Sequence, residues 1–209
     1  SFKFGEAKYI SINGIKIWAQ RLSYVGELGY ELYVKFGDAK KIYELLVDKG
    51  KDFNLSNCGM HSMDIMRMES GFLHWGHDIS PEENQYQAGL SFVISNSKNI
   101  DFIGKKALEK IKKDKIKSRF LMFTLENSKP GEPLLLHDEP IYLEEKIIGR
   151  TTSGNYSFNF KKNLMFGYVN NDFSNDELQK KKLFVEVEKQ KYPIKLNLKP
   201  LKQTNYKNI

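Results

Sequence analysis

Apolar and polar residues alternate through AKYISI and IKIWAQ, on either side of Asn13-Gly14. A period of two belongs to a half-buried strand, and Asn-Gly accepts positive φ at both turn positions of a type I′ hairpin. The pattern therefore predicts two antiparallel strands at the start of the chain. After GYELYV the period changes, and Ile42, Leu45 and Leu46 recur at helical spacing between Asp38 and Lys49. Asp38 is expected to cap this helix and Gly50 to stop it. A second helix is expected from about Met60 to Ser70, broken by Gly71. On it Met63, Met66 and Met68 would fill core space, and Asp64 and Arg67, three apart, would pair on one face.

From Asp101, DFIGKKALEKIKKDKIK reads as a third helix with a lysine-rich end. Beyond Ser118 the texture changes to short alternating runs separated by turn residues: RFLMFTLEN, PIYLEEKIIGRTTSG, LMFGYV and LFVEVEKQKYPIKLNL. Such spacing predicts a small antiparallel barrel or sandwich. The fold class is thus α+β, with an α+β unit over residues 1–115 and an all-β unit over residues 118–209. No internal repeat appears, and the lysine clusters at 110–117 and 180–182 read as solvated turns or helix ends.

Composition narrows the function classes. The 209 residues carry 33 basic and 26 acidic side chains, a net charge of +7. Only Arg21, Arg67, Arg119 and Arg150 are arginines, and phosphate or base recognition favours the planar guanidinium over scattered lysines, so no nucleic-acid partner is expected. Cys58 stands alone, which excludes an intramolecular disulfide and fits a reducing compartment such as the cytoplasm. No apolar run approaches the roughly 18 residues of a membrane span, and no signal-peptide core opens the chain. Ser1 leads straight into strand-like sequence without an initiator Met, as in a fragment or a processed product.

Few residues suggest chemistry by spacing alone. His74 and His77, followed by Asp78, would need further donors to hold zinc, and only His61 and His137 remain, so no metal is expected. Gly26 and Gly29 are too few to cradle a phosphate. Glu27 and Glu31 are two carboxylates among strand formers. If residues 29–34 form a strand, Glu31 shares a face with Gly29 and Tyr33, opposite Tyr30, Leu32 and Val34. A solvent-facing strand and a ligand-facing carboxylate both satisfy that pattern.

Taken in order, YVGELGYELYV, DIMRMESGFLHWGHDISPEENQYQAGLSF, DFIGKKAL, GRTTSGNYSFNFKKNLMFGYV and the terminal QTNY resemble the aminomethyltransferase (glycine cleavage T-protein) family. FLHWGHDI and GRTTSGNYSF look most like the C-terminal folate-binding region of dimethylglycine and sarcosine dehydrogenases. The resemblance implies the C-terminal half of a T-protein-like folate-binding domain, followed by a small antiparallel barrel. It implies that Glu31, the second Glu of a GExGxE pattern, accepts the pterin N–H donors of tetrahydrofolate, that Tyr206 of the TNY motif also contacts the ligand, and that Glu27 is structural. Where T-proteins carry an arginine just before the aspartate of their RDSLRLE helix, this chain has Met63.

The family's catalytic aspartate belongs to a part of the domain that precedes these motifs, so no catalytic residue is assigned here and the isolated segment is expected to be inactive. The intact protein would oxidise an N-methylated amine on FAD bound in an N-terminal region. It would pass the one-carbon unit as an iminium to N5 of tetrahydrofolate, giving methylenetetrahydrofolate. The partners implied are folate, the methylated amine and that N-terminal region, with no membrane. Two alternatives stand beside this reading: a truncated stand-alone T-protein or related demethylase, and a non-catalytic module of the folate-binding fold.

Overall fold

The computed structural model describes residues 2–94, 101–113 and 116–203. It forms two compact units, one of residues up to Ser70 with Lys202 and Gln203, the other from Gly71 to Leu201. Among the described residues no helix is long and apolar enough to cross a membrane.

In the first unit, β1 (Ala7–Ile12) and β2 (Ile15–Gln20) pair antiparallel with Ile12 opposite Ile15. Asn13 and Gly14 turn between them at φ 50° and 79°, the two left-handed residues that a type I′ hairpin requires. β3 (Glu31–Tyr33) pairs with β2 and completes a sheet of order β1-β2-β3. This strand is shorter than the 29–34 segment considered from sequence. A Cβ at Gly29 would stand 2.6 Å from the Leu22 carbonyl oxygen, so the chain crosses itself there and regular pairing starts only at Glu31.

The helix α1 (Phe36–Gly50) corrects two expectations: Gly50 does not stop the helical path, which runs on through a 3-10 turn at Lys51–Phe53 to Asn54, left-handed at φ 55°. Lys35, not Asp38, occupies the N-cap position, and no side chain caps the helix. Asp38 lies within the first turn, its N–H bonded to the Lys35 carbonyl at 2.9 Å, where its charge still meets the positive end of the helix dipole. α2 (Met60–Glu69) follows expectation. Nε and a terminal guanidinium nitrogen of Arg67 reach Asp64 Oδ1 at 2.9 and 2.7 Å. Met68 is fully buried and Met63 and Met66 partly so. With Ile17, Ala19, Ile42 and Ile65, Met68 makes up the buried apolar set of this unit.

In the second unit, α3 (Lys105–Lys113) starts four residues after Asp101. Gly104, at φ 90°, turns the chain just before the helix, so DFIG lies outside it; residues 114 and 115 of the lysine-rich end fall outside the described residues. Six strands then close into an antiparallel barrel of order β4-β7-β6-β5-β8-β9, which decides between barrel and sandwich. They are β4 (Ser118–Leu125), β5 (Pro140–Leu143), β6 (Lys146–Ser157), β7 (Lys162–Asn170), β8 (Leu183–Val187) and β9 (Gln190–Asn197). Closure comes from the last strand pairing with the first, Ile194 opposite Leu125, which leaves the barrel no free edge. Its interior is apolar, with Phe123, Ile141, Met165, Val169, Val185 and Leu196. A short helix not expected from sequence, α4 (Asn175–Lys180), sits between β7 and β8.

Candidate functional site

The hairpin and β3 build one open face on the first sheet. Residues directly opposite one another in an antiparallel ladder share a face. Tyr9 pairs with Trp18 and Trp18 with Tyr33, so three aromatic side chains stand in a row across all three strands. The row is exposed, at 62% for Tyr9, 36% for Trp18 and 54% for Tyr33, while Ile17 and Ala19 on the other face of β2 are buried. The Tyr9 and Trp18 rings meet edge to face at 4.9 Å. Lys16 Nζ lies 4.3 Å above the Tyr9 ring.

Glu31 sits on this same face, opposite Gln20, and is exposed. The Tyr33 phenol donates to Glu31 Oε2 at 2.6 Å. That hydrogen bond, and then the nearby carboxylate charge, push the Tyr33 phenol above its ordinary value of 10.0. The face thus joins a row of exposed aromatic rings to a carboxylate that can accept hydrogen bonds. Sequence reasoning put Glu31 and Tyr33 on one face but missed the bond between them; the spacing of two along a strand was the available signal.

Glu27 has a different environment. Its N–H bonds Ser23 Oγ at 2.9 Å, and its carboxylate takes an ion pair from Lys202. Lys202 is fixed further by its own N–H, which bonds the Glu69 carbonyl at 2.8 Å. Val25, between Ser23 and Glu27, accepts from Ser70 Oγ at 3.1 Å. The loop that leads into β3 is therefore tied to the end of α2 and to the start of the C-terminal tail. Tyr206, the other residue expected at the ligand, lies outside the described residues.

In the second unit, the FLHWGHDI and GRTTSG segments meet at Asp78, which is 1% exposed. Its Oδ1 accepts from Thr152 Oγ1 at 2.5 Å and Ser153 Oγ at 2.8 Å, and its Oδ2 accepts from the His74 N–H at 2.9 Å. The Tyr168 hydroxyl donates to the Asp78 carbonyl at 2.9 Å. Burial, followed by the charges of Glu83 and Asp78, pushes the Tyr168 phenol far up. Asp78 Oδ1 thus holds the chain against the barrel strand β6, while Oδ2 closes the turn of its own loop at His74. His74 and His77 do lie together, ring centroids 4.6 Å apart, with His137 6.5 Å from His77. Among the described residues, however, no group of three or more His, Cys, Asp and Glu is arranged to hold a metal ion.

Comparison with known proteins matches the chain to two family models. Residues 1–98 match the GCVT N-terminal domain and residues 119–202 the glycine cleavage T-protein C-terminal barrel domain. The mitochondrial dimethylglycine dehydrogenase of Rattus norvegicus is 34% identical over 200 residues, which cover 96% of this chain and 23% of that protein. The aminomethyltransferase of Symbiobacterium thermophilum is 32% identical over 167 residues, covering 79% of this chain and 44% of that protein. The chain therefore spans less than half the length of either relative. A crystal structure of glycine cleavage system aminomethyltransferase T from Bartonella henselae superposes with a TM-score of 0.81 over 98% of this chain and 54% of that one, at 22% identity. This last likeness is one of fold.

Proposed function

Because the chain belongs to the aminomethyltransferase (glycine cleavage T-protein) family, we propose that it supplies the C-terminal folate-binding part of an enzyme of dimethylglycine or sarcosine dehydrogenase type. Residues 1–115 are the C-terminal part of the folate-binding domain and residues 118–209 the barrel domain that follows it. The observation that carries this reading is the match to a dimethylglycine dehydrogenase along 96% of the chain.

Glu31 and Tyr206 hold tetrahydrofolate, Glu31 by accepting pterin N–H donors beside the aromatic face. Tetrahydrofolate supplies a nucleophilic nitrogen that accepts the one-carbon unit. This chain's part is to orient that ring and to keep a carboxylate, acceptor-only when ionised, opposite its donors. FAD binds in a further region of the intact protein, to which no residue of this chain is assigned. A single exposed thiol, Cys58, suits a reducing compartment, the cytoplasm among them.

The test is the product formed when the intact protein is given an N-methylated amine with and without tetrahydrofolate. Methylenetetrahydrofolate in the first case and formaldehyde in the second support the reading; formaldehyde in both overturns it. The 209-residue chain alone is expected to show no turnover. A stand-alone aminomethyltransferase is the second reading, favoured by the match to the Symbiobacterium enzyme. A dinucleotide-binding GxGxxG motif about 400 residues upstream in the gene would decide for the flavoenzyme. A non-catalytic module would bind no folate at all.

A further inference from the structure

We infer that Tyr33 is a positioning residue for Glu31: its phenol fixes the carboxylate so that the remaining acceptor sites face a ring lying along the open sheet face. The inference rests on the folate reading and adds to it a residue that acts through another.

Three features of the first unit support it. Glu31 stands on a three-residue edge strand, exposed, where a carboxylate on a free side chain would sample several rotamers. Tyr33 Oη, two positions along the same strand and therefore on the same face, holds Oε2 at 2.6 Å. Oε1 has no partner among the described residues and is open to an incoming donor.

The choice of a phenol has a consequence for the ligand. A lysine or arginine in that place would neutralise the carboxylate, as Lys202 does for Glu27. A neutral O–H donor orients the group and leaves its charge available to the ligand, and hydrogen bonds to an ionised acceptor are the strong ones. Pre-orientation also removes part of the ordering cost of binding. Trp18, opposite Tyr33 in the ladder, extends the aromatic surface beside the fixed carboxylate.

The experiment is a double-mutant cycle on the intact protein, with wild type, Tyr33→Phe, Glu31→Gln and the double variant each titrated calorimetrically with tetrahydrofolate. In parallel, the phenol of Tyr33 is titrated by NMR in the 209-residue chain labelled with 13C-tyrosine, in wild type and Glu31→Gln. Tyr33→Phe keeps the ring and is expected to weaken binding about 3- to 10-fold, the scale of one hydrogen bond, with no further loss in the Glu31→Gln background. The phenol is expected to titrate at lower pH once Glu31 is replaced. Equal affinities of Tyr33→Phe and wild type overturn the inference, as does the same loss in both backgrounds, which would mean that Tyr33 touches the ligand itself. If wild type binds no tetrahydrofolate, the folate reading fails and the positioning role with it; the NMR titration then separately decides whether the Tyr33–Glu31 pair exists.

Discussion

Glu27 and Lys202, 175 residues apart in the chain, form an ion pair in which the lysine side chain is only 14% exposed and the glutamate 55%. Two carboxylates of one GExGxE segment are thereby separated by their partners: Glu27 is matched by a cation, and Glu31 is held by a neutral phenol. Lys202→Ala is expected to lower the stability of the first unit by about 1 kcal/mol, near the upper end for surface pairs because one partner is mostly buried. Urea denaturation of wild type and variant measures this; an unchanged midpoint would show that the pair adds nothing.

Asp78 is expected to matter far more for stability than Glu27. Replacement by Ala removes the charged acceptor of two hydroxyls and a backbone N–H at a buried site, at a cost of about 2 to 4 kcal/mol. Asp78→Asn keeps one acceptor but turns an amide N–H₂ toward one of the donors, and should cost less, about 1 to 3 kcal/mol. Chemical denaturation checks the order wild type, Asn, Ala. Equal stability of Ala and wild type would remove Asp78 from its place as the tie between residue 74 and strand β6.

Tyr168 carries a pH dependence of definite sign. Its folded-state phenol titrates above the ordinary value of 10.0, chiefly through burial. The unfolded chain therefore loses this proton first as pH rises. The stability gained from the neutral buried phenol is fully present below about pH 10 and is lost as pH climbs toward the raised folded value. Tyr168→Phe loses the hydrogen bond to the Asp78 carbonyl, a cost of about 1 kcal/mol, but has no phenol to ionise. The margin of wild type over Tyr168→Phe in urea unfolding should be widest at about pH 8 and narrower at about pH 10.5. A margin independent of pH would contradict the assignment.

Elements with a local cause were legible in the sequence. The Asn13-Gly14 hairpin was, because both residues accept positive φ. The barrel strands were, because their alternation separates an apolar interior from solvent. The turn between β8 and β9 was not, since Glu188 and Lys189 take φ 50° and 64° there without Asn or Gly, under the demand of strand pairing on both sides. α4 did carry a signature: Ser174 and Glu177 form a reciprocal capping box, the S-x-x-E spacing, over a helix too short to show a period. The Asp78 network had no local signal, because its hydroxyl partners lie 74 and 75 residues away. At the site, strand spacing placed Glu31 beside Tyr33 but left a solvent-facing and a ligand-facing reading open; the exposed carboxylate satisfies both, and the proposal for the second rests on the family resemblance. A surface carboxylate has no chemistry of its own until a ligand covers it.

The most direct test of the central claim, that Glu31 is the folate acceptor, is calorimetric titration of the intact protein with tetrahydrofolate for wild type, Glu31→Gln and Glu27→Gln. In the complex of the Glu31→Gln variant, the new side-chain amide would set a donor against a ligand donor where a charged acceptor had been, at a cost of about 2 to 4 kcal/mol of binding free energy. Glu27→Gln, which breaks a pair with Lys202 and leaves the acceptor alone, should lose far less. Strong loss confined to Glu31→Gln is the predicted result; equal affinities for all three proteins would return Glu31 to an exposed strand residue with no part in binding.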